Sequence, residues 1–251
     1  MLDFDPILVL GASLSLVGVA VVVSLVLELG FERSILWAAV RATLQLGAVG
    51  FLLAAILGTR WEMALAVVWV LAMVGIAAWV TTRRADTNRV LGAALLAIGA
   101  SAGLSIAVVF GFRVLPFEPV QLIVVAGITI GNTLPATVQA ADQVRVQLSE
   151  HRSRVEGLLA LGMPASAASR FVVREATRVS LLPQIEKTKV VGLVALPGAM
   201  TGLLIAGVDP VDAVVIQLVV MFLVLGTVAV STTTVALVTT RTAFTPDQRI
   251  G

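Results

Sequence analysis

The chain has 251 residues, of which 59% are hydrophobic and 13% charged, with a mean hydropathy of +1.04. An ordinary soluble domain carries about 25% charged residues, so no aqueous fold could hide this much apolar surface, and the class is integral membrane protein. The formal charge of +2, with no basic patch interleaved with aromatics, argues against a nucleic-acid surface, and the absence of cysteine excludes disulfides, thiolate metal sites and thiol catalysis.

The first residues, Met1 to Pro6, are acidic where a signal peptide needs a basic region, so the apolar run behind them is expected to be retained as a first span. A bilayer core of about 30 Å takes about 20 apolar residues per helix. By that measure seven spans are expected, at Ile7–Leu27, Ile35–Leu57, Met63–Val80, Val90–Phe112, Val120–Ala140, Val190–Gly207 and Val211–Val238. The fold class is therefore all-α, one polytopic membrane domain over residues 1–251.

Lysine and arginine favour cytoplasmic loops. With the N-terminus outside, fourteen of the seventeen basic residues fall on the inner side, among them Arg33, Arg83, Arg84, Arg89, Arg241 and Arg249, against Arg60 and Arg113 outside. The chain is thus expected in the plasma (inner) membrane with its N-terminus out and its C-terminus cytoplasmic. The long polar interval at 142–189, with eight basic residues, then lies in the cytoplasm. Within it Val155, Leu158, Leu159 and Leu161, then Phe171, Val172, Ala176, Val179 and Leu182, recur at helical spacing around Gly162-Met163-Pro164. That pattern predicts two amphipathic helices joined by a tight turn, either on the membrane surface or as a docking element for another protein. The lone His151 in this interval is expected to be solvated, and Glu186, Lys187 and Lys189 to anchor at the headgroups or form an ion-pair lock.

Polar residues inside the spans mark a candidate substrate pathway. Arg41 and Gln45 are four apart in the second span and share a face; Arg41 either snorkels or serves transport. In the fifth span Gln121, Thr129, Asn132, Gln139 and Gln143 follow one side of a helix. Pro135 removes the hydrogen bond to the Gly131 carbonyl, and oxygens freed at broken helices can coordinate ions. The sixth span repeats the pattern: Pro197 frees the Leu193 carbonyl, Gly198 and Gly202 form a small-residue face, and Met200 and Thr201 lie between them. Gly99 with Gly103, and Gly127 with Gly131, offer further close-packing faces.

No phosphate loop and no paired-histidine metal helix occurs, so any ATPase must be another polypeptide, and this chain is not itself an enzyme. The stretch Glu156 to Gly162, with Leu182-Pro183 downstream, resembles the coupling loop of ABC transporter permeases, although the Leu-Pro lies farther away than in the common importer pattern. Nearly the whole chain resembles the FetB-type family of ABC permeases, which includes bacterial iron exporters and plant subunits linked to aluminium tolerance. Four matching motifs run in order: Arg41 to Leu46, Gly131-Asn132-Thr133, Val191 to Gly202, and Gln217 to Leu223. This resemblance implies a homodimeric permease paired with a separate ATP-binding subunit that holds the ATP and Mg²⁺, and export of a metal cation or related solute. It also implies a pathway role for Gln217. Ala199 and Leu134 stand where the family often has methionine, and Leu203 where it often has glutamine. A gradient-driven secondary transporter and a non-transport membrane scaffold are the rival readings.

Overall fold

The computed structural model describes residues 6–84 and 90–245; Met1–Asp5, Arg89 and Arg249, which enter the orientation argument, lie outside these. The described chain is helical, with ten helices in order and a single isolated bridge between Val191 and Ala195. Five helices are long and apolar enough to cross a bilayer, and α1 adds a further apolar helix. The expected all-α polytopic architecture is therefore observed. The chain divides into two compact units, residues 1–62 and 63–251.

The first unit is a helical hairpin of α1 (Pro6–Val26) and α2 (Glu32–Ile56). Its turn is tight because Gly30 takes a left-handed φ of +72° and Ser24 ties both sides together. The Ser24 hydroxyl donates to the Glu32 carboxylate at 2.8 Å and accepts from the Phe31 amide at 3.1 Å. A short polar clamp thus satisfies groups that the end of one helix and the start of the next would otherwise leave open.

The second unit contains α3 (Glu62–Arg84), α4 (Leu91–Gly111), α5 (Pro119–Glu150), α6 (Arg152–Ala160), α7 (Ala165–Ala168), α8 (Arg170–Val190), α9 (Gly198–Ile205) and α10 (Pro210–Thr242). Its centre is the mutual packing of α4, α5, α8 and α10. Lipid offers helices no hydrophobic reason to associate, so close packing and interhelical hydrogen bonds must hold them. The residues at the contacts are accordingly small. Ala93, Ala94, Ala97, Ala140, Ala141 and Ala236 are buried, as are the hydroxyls of Ser101, Ser105, Thr133, Thr137, Ser231 and Thr232. Most hydroxyls bond back to a carbonyl of their own helix, but Ser101 Oγ also donates to the Thr227 carbonyl at 3.1 Å and joins α4 to α10. Of the glycines expected to admit neighbours, Gly99 lies against Val74 and Gly127 against Met73, both of α3, whereas Gly103, Gly131, Gly198 and Gly202 face open space.

Two expectations change. First, residues 190–207 do not form one spanning helix. The chain stops at Val190, turns through Gly192 with φ +85°, and restarts at Pro197, the N-cap of α9. Pro197 opens a helix here instead of breaking one, because its ring disfavours helical geometry in the preceding residue. The eight residues of α9 rise only about 12 Å, too short to cross. Second, the polar interval at 142–189 does hold the expected helices on either side of the Gly162 turn, α6 and α8, but it extends beyond them. Its first nine residues continue α5 to Glu150, and α8 turns back to pack along α5 and α10. Val172 and Ala176 of α8 meet Val144, Leu148 and Ala236, and farther along Leu181 meets Ala136, Val224 and Val228. The broken element α8, loop 191–197 and α9 therefore replaces the simple sixth span.

Because the α4 contact leaves no space, Ala97→Leu should overpack it and cost about 1–3 kcal/mol. This should appear as a lowered thermal midpoint of the detergent-solubilised protein, with Gly103→Leu, on open surface, much closer to wild type.

Candidate functional site

A helix of 32 residues is about 48 Å long, so α5 extends well beyond a bilayer core. Its apolar part, residues 120–140, has Asn132 close to its midpoint. There a cavity of about 310 Å³ opens among α5, α8, the 191–197 loop, α9 and α10. Its polar lining is Asn132 from α5, Gln184 and Lys187 from α8, and Gln217 from α10, and Gly198 and Ala199 bring in the first turn of α9. Apolar walls come from Ile128, Val220, Met221 and Val224.

The side chains here are partly unspent. Asn132 Nδ2 donates to the Ile128 carbonyl at 2.7 Å, which leaves its own carbonyl oxygen for the cavity. Gln217 is 5% exposed, and its Oε1 has no hydrogen-bond partner; Gln184 Nε2 is likewise buried and unpartnered. Leaving such groups unpaired costs about 1–3 kcal/mol each, the kind of cost that persists at sites awaiting a ligand or water. Lys189 pairs with Glu186 at 2.8 Å, whereas Lys187 makes no ion pair among the described residues.

Of the three charged residues expected to anchor at headgroups or form an ion-pair lock, Lys187 is the one that lines this cavity. The antiparallel course of α8 along α5 brings Lys187, an exposed side chain, to the lining of the same cavity as Asn132. Sequence reasoning assigned neither Gln184 nor Lys187 to the pathway. Their three-residue spacing just before Gly192 was the available signal, and hydropathy averaged over a window erased it.

The other pathway candidates are dispersed. Gln139 lines a different cavity, about 590 Å³, with Val80, Leu134, Pro135, Val138 and Asp142. The stripe on α5 therefore opens into two cavities at two heights. Thr129 is fully buried with its hydroxyl unpartnered, and Gln121 Nε2 donates to Glu118 Oε2 at 3.1 Å. Helix α5 continues through Pro135, so Gly131 and Pro135 mark no break in it. Met200 and Thr201 lie outside the Asn132 cavity lining; Thr201 is exposed, and its hydroxyl donates to the Pro197 carbonyl at 3.2 Å. Within the first unit, Arg41 and Gln45 are exposed on α2 without a hydrogen-bond partner among the described residues.

The second candidate element is the turn between α6 and α7. Gly162 takes φ +83°, its amide donates to the Leu159 carbonyl at 2.9 Å, and the Met163 amide donates to the Leu158 carbonyl at 3.1 Å. This pair of bonds closes the C-terminus of α6 in a Schellman arrangement, which requires a left-handed residue at Gly162. The turn projects Leu161, 82% exposed, beside Met163. Helix α6 is held firmly behind it: Val155 is fully buried, Arg152 Nε donates to Glu156 at 2.8 Å, and the Arg154 guanidinium lies 4.4 Å from the Phe171 ring centre. His151 is not merely solvated, since its ring meets Phe171 edge-on at 5.6 Å. Leu182 and Pro183 sit within α8, about 18 Å of helical rise beyond its start at Arg170, and do not share the Gly162 turn.

The model of the family described as "Uncharacterised protein family (UPF0014)" matches residues 7–244. The chain is 34% identical over 224 residues to the Escherichia coli "Probable iron export permease protein FetB", covering 89% of this chain and 86% of that protein. It is 37% identical over 221 residues to the Oryza sativa "UPF0014 membrane protein STAR2", covering 88% and 77%. It is 31% identical over 226 residues to the Arabidopsis thaliana "Protein ALUMINUM SENSITIVE 3", covering 89% and 82%. No solved structure matches the chain.

A side chain at Gly162 would meet no neighbour but would be strained by its φ. Gly162→Ala should therefore cost about 1–2 kcal/mol locally, read as faster amide hydrogen exchange at Gly162 and Met163 with the exchange of α5 and α10 unchanged.

Proposed function

On the premise that this chain belongs to the UPF0014 family of multi-pass membrane proteins, we propose that it is the permease subunit of an ABC transporter. It works as a homodimer with two copies of a separate ATPase and exports a metal cation or related solute. ATP and Mg²⁺ are handled by that partner. The chain lies in the plasma (inner) membrane with its N-terminus outside and its C-terminus and the α6–α7 turn in the cytoplasm, as the basic residues around that turn favour. A relative named as a probable iron export permease supports the direction and the cargo.

The observation that carries this reading is the continuity of α8. It begins beside the Gly162 turn and ends at the cavity, about 26 Å from Arg170 to Lys187. A rigid helix of that length converts displacement of the exposed Leu161–Met163 knob into displacement of Gln184, Lys187 and the 191–197 loop. Closure of an ATPase dimer under the knob would thus tilt α8 against α5 and α10, and the break at Gly192 would let α9 follow separately. Glu156 and Gly162 form the docking element, and Leu182 and Pro183 belong to the shaft that transmits its motion. Asn132 and Gln217 line the pathway, and Arg41 and Gln45, exposed on α2, face water or a second subunit in preference to lipid.

Affinity isolation from mildly solubilised membranes should recover a stoichiometric protein carrying a phosphate loop. Gly162→Arg should reduce that recovery about tenfold or more while membrane insertion stays normal. Failure to recover such a protein with a folded chain would leave the gradient-driven carrier or the scaffold.

A further inference from the structure

The first half of α8 carries a charged face that nothing among the described residues answers. Val172, Ala176 and Ser180 are buried against the bundle, while Arg170, Arg174 and Arg178 recur every four residues on the opposite side, all three exposed. They span about 12 Å of helix. None makes an ion pair among the described residues, and the half-buried Glu175, next along the helix from Arg174, pairs with none of them. Like charges four residues apart on a helix repel, and opposite charges at such spacing attract, as Arg152 with Glu156 and Arg145 with Asp142 do elsewhere in this chain. Three uncompensated guanidinium groups in one row call for anions from outside the chain.

Position and chemistry select the anion. Val172 and Ala176 pack with Val144 and Leu148 of α5 and Ala236 of α10, close to where the apolar runs of these two long helices give way to charge at Asp142 and Arg241. Arg241 is exposed there as well, without an ion pair among the described residues. On the α3 side of this end, Val80 shares a cavity with Asp142, and one turn on the Arg83 guanidinium lies 4.7 Å from the centre of the half-exposed Trp79 ring. Tryptophan and arginine at the ends of spans are the side chains that meet lipid headgroups. A docked protein is the other source of anions, but protein interfaces are anchored by apolar or aromatic side chains at their centre. Between Met163 and Leu182 no large apolar side chain is exposed, so this face offers charge without an anchor. Phosphate fits it, since the guanidinium fork bonds two phosphate oxygens at once and arginine stands at all three positions.

We propose that the face of α8 formed by Arg170, Arg174 and Arg178 binds anionic phospholipid, whose headgroup phosphates neutralise the three guanidinium groups. Because α8 runs from the Gly162 turn to the Asn132 cavity, bound lipid steadies the helix that joins the two candidate elements. Naming the lipid layer as the cytoplasmic leaflet rests on the permease reading above; the lipid chemistry does not.

The test is native mass spectrometry of the purified full chain in detergent, titrated with dioleoylphosphatidylglycerol and, separately, with dioleoylphosphatidylcholine. The anionic lipid should bind about tenfold or more tighter. Arg174→Gln combined with Arg178→Gln should weaken phosphatidylglycerol binding about tenfold and leave phosphatidylcholine binding unchanged, and the corresponding double lysine variant should retain most of the preference. Arg60→Gln combined with Arg113→Gln removes the same charge elsewhere and should leave the preference intact. Equal binding of the two lipids, or a preference that survives the loss of Arg174 and Arg178, would overturn the proposal. A double glutamine variant that keeps its lipid preference but no longer recovers the ATPase would also overturn it, and would assign the face to an acidic protein. Lipid preference without an ATPase would keep this surface and remove the permease, whereas recovery of the ATPase with equal lipid binding would do the reverse.

Discussion

The close approach of α4, α5, α8 and α10 underlies every other feature of the second unit. In a bilayer the helix surfaces gain little by leaving lipid, so association depends on backbones coming near enough for dispersion and a few hydrogen bonds to accumulate. Alanines at 93, 94, 97, 140, 141 and 236 permit that approach, and buried serines and threonines contribute hydroxyls that are mostly returned to their own backbone. The exception, Ser101 to the Thr227 carbonyl, shows how little polar bonding is needed between helices once the packing is close.

Against that tight centre, α8 and α9 form the adaptable part. The bundle accepts α8 through Val172, Ala176 and Ser180, while its other side carries charged groups such as Arg174 and Arg178 outward. Past Val190 the chain abandons helical geometry for seven residues, and irregular backbone at membrane depth is tolerated only where it is buried in protein or lines a water-filled space. Leu193 and Val194 in this loop are 89% and 83% exposed, while Val191 and Ala195 to Pro197 line the cavity.

One helix thus joins the two candidate elements. At one end are the Gly162 turn and its Schellman bonds, stiffened by Val155, Phe171 and the Arg152–Glu156 pair. At the other is a cavity lined by Asn132, Gln184, Lys187 and Gln217, at which α9 begins. The Gly162 turn and the cavity are thus connected through α8 alone, although they lie at opposite ends of it.

Hydropathy alone was enough for the membrane class, the all-α architecture and five of the spans, with α1 as a further apolar helix, because length and apolar composition report such helices directly. Local chemistry was equally legible at Gly162, where only a residue at ease with positive φ closes the turn, and Asn132 stood out as an amide inside an apolar run. The place of α8 was not legible. An amphipathic helix reads the same whether its polar face meets water at a membrane surface or a cavity between helices, and only packing against α5 and α10 decides which. The same packing raised Lys187 beside Asn132 and Gln217, took Leu182 and Pro183 away from the turn, and divided the polar stripe of α5 between two cavities. Sequence determined what each segment could tolerate; the tertiary fold decided which polar groups would face one another.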